Sequence, residues 1–129
     1  MSYVLVVDDE GDAREAMAKY LENHGHRTKA VPNGKAAIET VIATKPDVVV
    51  LDWMMPEMDG VDFLRVLRSY LRLQNLPVIM VTAHRGAHID AARELGVGIV
   101  FHKASFDLAD LAACVDQLRK HGTGGHITH

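Results

Sequence analysis

Four short apolar runs along this chain each end in residues that could take part in chemistry. Asp8 and Asp9 follow a run of valine and leucine, and Asp52 follows a second run of the same kind. Thr82 ends a third run, and Lys103 comes shortly after a fourth. Three carboxylates brought together repel one another, so a cation must neutralise them or some of them must bind protons.

The donor types in this set favour a hard divalent cation. Carboxylate oxygens suit Mg²⁺ or Mn²⁺ better than Zn²⁺, and neither cysteine nor histidine stands beside them at ligand spacing. A carboxylate can also attack a phosphoryl group and form an acyl phosphate. Lys103 could neutralise charge on that group, and Thr82 could donate a hydrogen bond to it.

Each of these residues alone is a weak signal. Aspartate after a strand is often only a turn residue or a helix cap, and a lysine there is usually solvated. The inference depends on their joint occurrence at the ends of four predicted strands.

Strands and helices must position these residues, and the pattern predicts where they lie. Apolar runs rich in valine and isoleucine predict strands at residues 4–7, 48–51, 78–81 and 98–101. Residues 27–31 alternate polar and apolar and predict a fifth strand at an edge of the sheet. Amphipathic helical patterns fill the intervals. The alternation predicts an α/β fold, with a five-stranded parallel sheet of order 2-1-3-4-5 and helices on both faces. Polar groups at the strand ends would then meet at one edge, around strands 1 and 3.

Length and composition limit the possible classes of protein. The chain has 129 residues, which predicts one domain over residues 1–121 and a flexible tail over residues 122–129. A net charge of −3 gives no overall attraction to nucleic acid or anionic membranes. We see no signal peptide and no apolar stretch near the ~20 residues that span a bilayer, and therefore expect a cytoplasmic protein. Cys114, the single cysteine, is predicted to be a small core side chain.

At these positions the sequence closely resembles the receiver domain of bacterial response regulators, of the single-domain chemotaxis kind. The resemblance is carried by residues 4–10, 47–60 and 77–83 and by Lys103. Its most specific part is an apolar strand ending in Asp52, then Pro56 and the pair Asp59-Gly60. The resemblance implies the flavodoxin-like receiver fold over nearly the whole chain.

The resemblance also implies a phosphoacceptor site that depends on Mg²⁺ or Mn²⁺. Asp52 would accept a phosphoryl group from the phosphohistidine of a sensor histidine kinase or a histidine phosphotransfer protein. Asp9 would bind the metal directly, helped by Asp8 and Asp52, and the backbone carbonyl of Met54 would be another ligand. Thr82 and Lys103 would contact the phosphoryl group.

A receiver of this kind is a switch and not a free-standing enzyme. Phosphorylation would shift an existing equilibrium and change the face formed by helix 4, strand 5 and helix 5. That face would act on a downstream effector protein or an effector domain. We expect only self-phosphorylation and self-dephosphorylation, a monomer or a weak phosphorylation-dependent dimer, and no direct contact with nucleic acid or membrane.

The end of strand 5 departs from the family pattern. Many receivers have a proline after the lysine, with a cis bond, but Ala104 follows Lys103 here. A cis bond without proline costs ~2.5–4 kcal/mol, so we expect either a trans peptide with a shifted loop or a strained exception. The aromatic switch position of the family holds Val100. Alternation should point Phe101 to the opposite face and His102 to the face of Val100.

Two other classes of protein remain as alternatives. A haloacid-dehalogenase-type Mg-dependent phosphatase uses a similar set of residues but needs a second acid where Met54 stands. A flavodoxin-like nucleotide binder needs a phosphate loop after strand 1, where residues 8–12 are mostly acidic. The arginines at 65, 68 and 72 predict a basic stripe on helix 3, by default a solvated face and otherwise a docking surface.

Overall fold

The computed structural model describes residues 2–55, 57–83 and 88–120, in which strands and helices alternate along the chain. The elements are β1 (Tyr3–Val7), α1 (Gly11–Asn23), β2 (Arg27–Val31), α2 (Gly34–Ala43), β3 (Val48–Asp52), α3 (Gly60–Ser69), β4 (Val78–Thr82), α4 (His88–Glu94), β5 (Ile99–His102) and α5 (Leu108–Lys120). One turn of 3-10 helix (Leu71–Leu73) follows α3. None of these helices, within the described ranges, is long and apolar enough to cross a membrane.

The five strands form one parallel sheet of order β2-β1-β3-β4-β5, which confirms the predicted order. In the register of the sheet Val7 lies beside Leu51, Leu51 beside Met80, and Met80 beside Val100. Because all the strands point the same way, the ends of β1, β3, β4 and β5 lie along one edge. The observed strands match the predicted ones to within one residue at either end.

Helices cover both faces of the sheet, and each face has its own core. Helices α1 and α5 cover one face, where Met17, Leu21 and Val115 pack on strand residues. Helices α2, α3 and α4 cover the other, where Phe63 and Leu67 are fully buried. The central strands are buried on both sides, which explains their continuous apolar sequence.

The single cysteine packs at the margin of the first of these cores, as its helical stripe predicted. Cys114 is half-buried on α5 and contacts the α1–α5 side of the sheet. Burial raises the pKa of its thiol, and the charge of Asp110 raises it further. A thiol with a raised pKa is a poor nucleophile, so this position acts as a core side chain.

A buried histidine joins three elements at the edge of the sheet where the strands begin. His26 precedes β2, and its side chain is 2% exposed. Its Nδ1 lies 3.3 Å from the backbone nitrogen of Ser2, which donates to it. Its Nε2 lies 3.0 Å from a carboxylate oxygen of Asp116 on α5. The start of β1, the start of β2 and α5 therefore meet at one side chain.

The predicted basic stripe on α3 is wrong at two residues: Arg68 is turned inward, and Arg72 lies in the 3-10 turn after the helix. Arg68 is half-buried and donates to the carbonyls of Leu95, Leu73 and Leu76 at 2.9, 3.0 and 2.8 Å. Burial lowers the pKa of its guanidinium. Arg68 thus ties the end of α3 to the turn after α4 and to the segment that leads into β4.

We expect Arg68→Ala to lower the free energy of unfolding by about 2–4 kcal/mol, because three backbone carbonyls lose a charged donor. Arg65→Ala on the exposed side of α3 is the matched control, with an expected effect within about 0.5 kcal/mol. Urea denaturation of both variants measures the difference. Equal effects of the two substitutions would contradict the role given to Arg68.

Candidate functional site

Three carboxylates converge at the edge where the strands end. One carboxylate oxygen from each of Asp8, Asp9 and Asp52 lies within 4.8 Å of the others. Asp8 is fully buried, Asp52 is 5% exposed, and Asp9 is exposed. The sheet order brings them together, because β1 and β3 are neighbours although α1, β2 and α2 separate them in sequence.

The ammonium group of Lys103 lies among these acids. Its Nζ is 2.9 Å from Asp8 Oδ2, 3.4 Å from Asp52 Oδ2 and 3.7 Å from Glu10 Oε1. The backbone N–H of Lys103 donates to the carbonyl of Thr82 at 2.8 Å, which fixes the lysine against β4. Glu10 was not among the predicted site residues, although it directly follows Asp9 in the sequence.

Local backbone structure holds the two buried carboxylates in place. Asp8 Oδ1 accepts the backbone N–H of Glu10 at 2.9 Å, and the guanidinium of Arg14 donates to the Asp8 carbonyl at 2.9 Å. Asp52 Oδ1 accepts the backbone N–H of Met54 at 3.3 Å. Each acid is therefore oriented by the turn that follows its own strand.

The pKa of Asp52 is raised when no cation is bound. Burial is the main cause and the charge of Asp8 the second, and together they raise the pKa of Asp52 from 3.8 to about 7 although Lys103 lowers it. For Lys103, burial opposes the charge, but the contacts with Asp8 and Asp52 outweigh it and the pKa is raised. The lysine thus stays charged, and one positive charge does not balance the acids around it.

This donor set fits a hard divalent cation. A cavity of about 300 Å³ is lined by Asp9, Glu10, Asp52, Met54, Ala83 and Lys103. The protein atoms there that could bind a metal ion are oxygen atoms. The volume of the cavity also leaves room for the waters that Mg²⁺ usually keeps. Asp8 and Asp9 from the end of β1 and Asp52 from β3 supply the carboxylates.

The loop after β3 is held by close packing on the other side of the strand. Trp53 is 1% exposed, and a Cβ on Gly60 would collide with the indole ring. Gly60 N–H donates to the Trp53 carbonyl at 2.8 Å, and Asp59 caps α3 by accepting the N–H of Asp62 at 3.0 Å. The pair Asp59-Gly60 of the motif therefore starts α3 beside the site. Met54 lies on the rim of the cavity and is 40% exposed.

The structure confirms the predicted alternation along β5. Val100 packs against the core on the side of α2, α3 and α4. Phe101 points to the opposite core and stacks on Phe106, with ring centroids 5.5 Å apart. His102 is the register neighbour of the buried Thr82. No peptide bond in the described ranges is cis, so Lys103–Ala104 is trans.

Some predictions fall outside the described residues. Pro56 of the motif and the proposed tail at residues 122–129 are among them.

Comparison with known proteins identifies the family. The family model described as the response regulator receiver domain matches residues 4–116. The response regulator MprA of Mycolicibacterium vanbaalenii is 35% identical over 96 residues, which are 70% of this chain and 41% of that protein. The phosphate regulon transcriptional regulatory protein PhoB of Klebsiella pneumoniae is 34% identical over 95 residues, 74% of this chain and 41% of that protein.

Solved structures agree with this assignment. The signal receiver domain of a signal transduction histidine kinase from Syntrophus aciditrophicus superposes with a TM-score of 0.84 at 30% identity, covering 94% of this chain and 92% of that one. The receiver domain of the Francisella response regulator 1452 gives 0.83 at 30% identity, covering 94% and 98%.

The chain belongs to the response regulator receiver domain family. It is a receiver domain of the two-component kind, and the alternative of a haloacid-dehalogenase-type phosphatase is not supported. The chain spans 41% of the length of the two curated relatives.

The raised pKa of Asp52 predicts a pH dependence of stability in the metal-free protein. Folded Asp52 holds its proton up to about pH 7, whereas the unfolded residue releases it near its ordinary 3.8. The free energy of unfolding therefore falls as the pH rises between these values. We expect Asp52→Asn to remove this fall and to be more stable than the wild type by about 1–3 kcal/mol above pH 7.

Urea unfolding in the presence of a chelator, at a series of pH values, measures this difference. Asp90→Asn, on the exposed face of α4, is the matched control and should keep the wild-type pH dependence. An Asp52→Asn variant whose stability has the same pH profile as the wild type would show that Asp52 is not the carboxylate with the raised pKa.

Proposed function

We propose that this chain is a phosphoacceptor domain in which Asp52 takes a phosphoryl group from a phosphohistidine. The observation that carries the proposal is the environment of one carboxylate. Asp52 is buried at the end of β3, 3.4 Å from the Lys103 ammonium, and within 4.8 Å of oxygens of Asp8 and Asp9. A nucleophilic oxygen, a fixed positive charge and further oxygen ligands thus share one cavity.

The chain's own residues have separate roles in the proposed transfer. A carboxylate oxygen of Asp52 attacks phosphorus as the bond to the donor nitrogen breaks, and the donor leaves as neutral imidazole after taking up a proton. Lys103 pairs with the phosphoryl oxygens, and Thr82 donates a hydrogen bond to them. Catalysis of such a transfer is mainly positioning and charge stabilisation.

A divalent cation belongs to the same proposal. Bound Mg²⁺ or Mn²⁺ would neutralise the acids and the phosphoryl oxygens together. Asp9 would be the direct carboxylate ligand, with Asp8, Asp52 and the backbone carbonyl of Met54 completing the protein set. Support comes from the chemistry of the donors, which are all hard oxygens, and from the buried negative charge that Lys103 alone does not balance.

The proposed partners follow from the class of protein. The donor would be a sensor histidine kinase or a histidine phosphotransfer protein, and the target an effector protein or effector domain in the cytoplasm. We propose that phosphorylation changes the face formed by α4, β5 and α5, with Val100 packed where other receivers hold an aromatic switch residue. The chemistry of the domain would be limited to gaining and losing its own phosphoryl group.

Incubation with Mg²⁺ and acetyl phosphate, followed by intact mass measurement, tests the proposal. We expect one phosphoryl adduct on the wild type and none on Asp52→Asn, because the amide lacks the nucleophilic oxygen. Asp90→Asn is the matched control and should give the wild-type adduct. An adduct that persists in Asp52→Asn, or no adduct under conditions where Mg²⁺ is shown to bind, would contradict the assignment.

A further inference from the structure

A fourth carboxylate lies at the rim of the cavity beside Asp52. Glu10 follows the two acids at the end of β1, and it lines the same cavity as Asp9, Asp52 and Lys103. Its Oε1 lies 3.7 Å from the Lys103 ammonium, and its side chain is 64% exposed. Glu10 therefore combines contact with the cavity and access to solvent, whereas Asp8 and Asp52 are buried.

The backbone of Glu10 is held on both sides although its side chain is exposed. Its N–H donates to Asp8 Oδ1 at 2.9 Å, and its carbonyl accepts the N–H of Arg14 on α1 at 2.9 Å. These bonds keep the residue at the junction of the acidic turn and the helix. Because they involve only the backbone of Glu10, a substitution of its side chain leaves them in place.

The contact of Glu10 with Lys103 is the longest of the three ion pairs that this ammonium makes within the described ranges. Asp8 lies at 2.9 Å and Asp52 at 3.4 Å, and both are buried. An ion pair at 3.7 Å with an exposed carboxylate contributes little to stability. The main effect of Glu10 is therefore to add negative charge to the cavity, and not to hold the lysine in place.

Glu10 is the charge that remains after the others balance. The two positive charges of the proposed divalent cation and the one of Lys103 equal the three negative charges of the aspartate cluster. The guanidinium of Arg14 donates to the Asp8 carbonyl and is not among the described residues that line the cavity. With the cation bound, a donor thus approaches a cavity whose excess charge is the exposed carboxylate of Glu10.

We propose that Glu10 selects among phosphoryl donors by their charge, an inference that rests on the proposed phosphoacceptor function of Asp52. Its carboxylate repels free phosphate anions that approach the cavity, and it favours a donor with a positive group beside the phosphoryl group. The effect is electrostatic and acts through solvent, because the side chain is exposed. It is therefore proportional to the charge of the donor and is screened by salt.

Rates of phosphorylation by two small donors, followed by intact mass, test the proposal. Acetyl phosphate is a dianion at neutral pH, and phosphoramidate has one negative charge fewer because its nitrogen is protonated. At saturating Mg²⁺ and about 0.05 M ionic strength, we expect Glu10→Gln to react about fivefold faster than the wild type with acetyl phosphate. With phosphoramidate the increase should be only about twofold. Both increases should disappear at about 1 M ionic strength.

Two further variants separate the charge of Glu10 from its contact with Lys103. Glu10→Asp keeps the charge at the rim but has a shorter side chain that no longer reaches the ammonium. It should react with acetyl phosphate within about twofold of the wild type. Glu15→Gln, the same charge change at an exposed position of α1, is the matched control and should react with both donors as the wild type does.

A calorimetric titration with Mg²⁺ gives a readout that does not depend on phosphorylation. Removal of a negative charge from the cavity should weaken Mg²⁺ binding by about two- to fivefold in Glu10→Gln. The same variant should nevertheless react faster with acetyl phosphate once Mg²⁺ is saturating. A damaged site would instead lower both the Mg²⁺ affinity and the rate.

Three results would overturn the proposal. Equal rates of Glu10→Gln and the wild type with acetyl phosphate, while both form the Asp52 adduct, would contradict this inference and leave the phosphoacceptor function standing. An increase of the same size with both donors, unaffected by salt, would show that the size of the side chain and not its charge controls entry. The absence of an adduct in every variant with either donor would overturn the phosphoacceptor function and this inference together.

Discussion

The ammonium of Lys103 between two buried carboxylates is the interaction on which the site depends. Asp8 and Asp52 come from neighbouring strands and are both buried, and burial is the main cause of the raised pKa of Asp52. Lys103 supplies one positive charge, at 2.9 and 3.4 Å from the two acids. The pKa of Asp52 nevertheless stays near 7, so the cluster still favours a further cation or a proton.

The fold keeps the three carboxylates close together although their negative charges repel one another. Continuous apolar strands, buried on both faces, fix the ends of β1, β3 and β4 relative to one another. The turns after the strands then orient two of the carboxylates. The backbone N–H of Glu10 donates to Asp8, and that of Met54 donates to Asp52. Packing of Trp53 against Gly60 brings the start of α3 close behind the loop. Each of these contacts limits how far the carboxylates can move apart.

Much of this arrangement could be predicted from the sequence because it depends on local patterns. Apolar runs predict β1, β3, β4 and β5, and the alternation with helices predicts a parallel sheet that fits the order β2-β1-β3-β4-β5. From that order, Asp8, Asp9 and Asp52 had to meet. The alternation along β5 likewise placed Val100 and Phe101 on opposite faces.

The polar contacts that were missed involve partners that no local pattern indicates. His26 pairs with Asp116, which is distant in sequence, and a lone histidine in a turn carries no sign of burial. The spacing of Arg68 with Arg65 and Arg72 predicts a solvated stripe, but the acceptors of Arg68 are backbone carbonyls, which any sequence provides. Glu10 reaches Lys103 only because the two loops meet at the site.

Thermal unfolding with and without Mg²⁺ at about pH 8, at matched ionic strength, tests the central claim that the acids need a cation. If Asp8, Asp9 and Asp52 bind the ion, saturating Mg²⁺ should raise the Tm by about 5 °C or more. Most of that rise should disappear in Asp9→Asn, whose side chain is exposed and has no packing role. An unchanged Tm in the wild type, or the same rise in Asp9→Asn, would contradict the account.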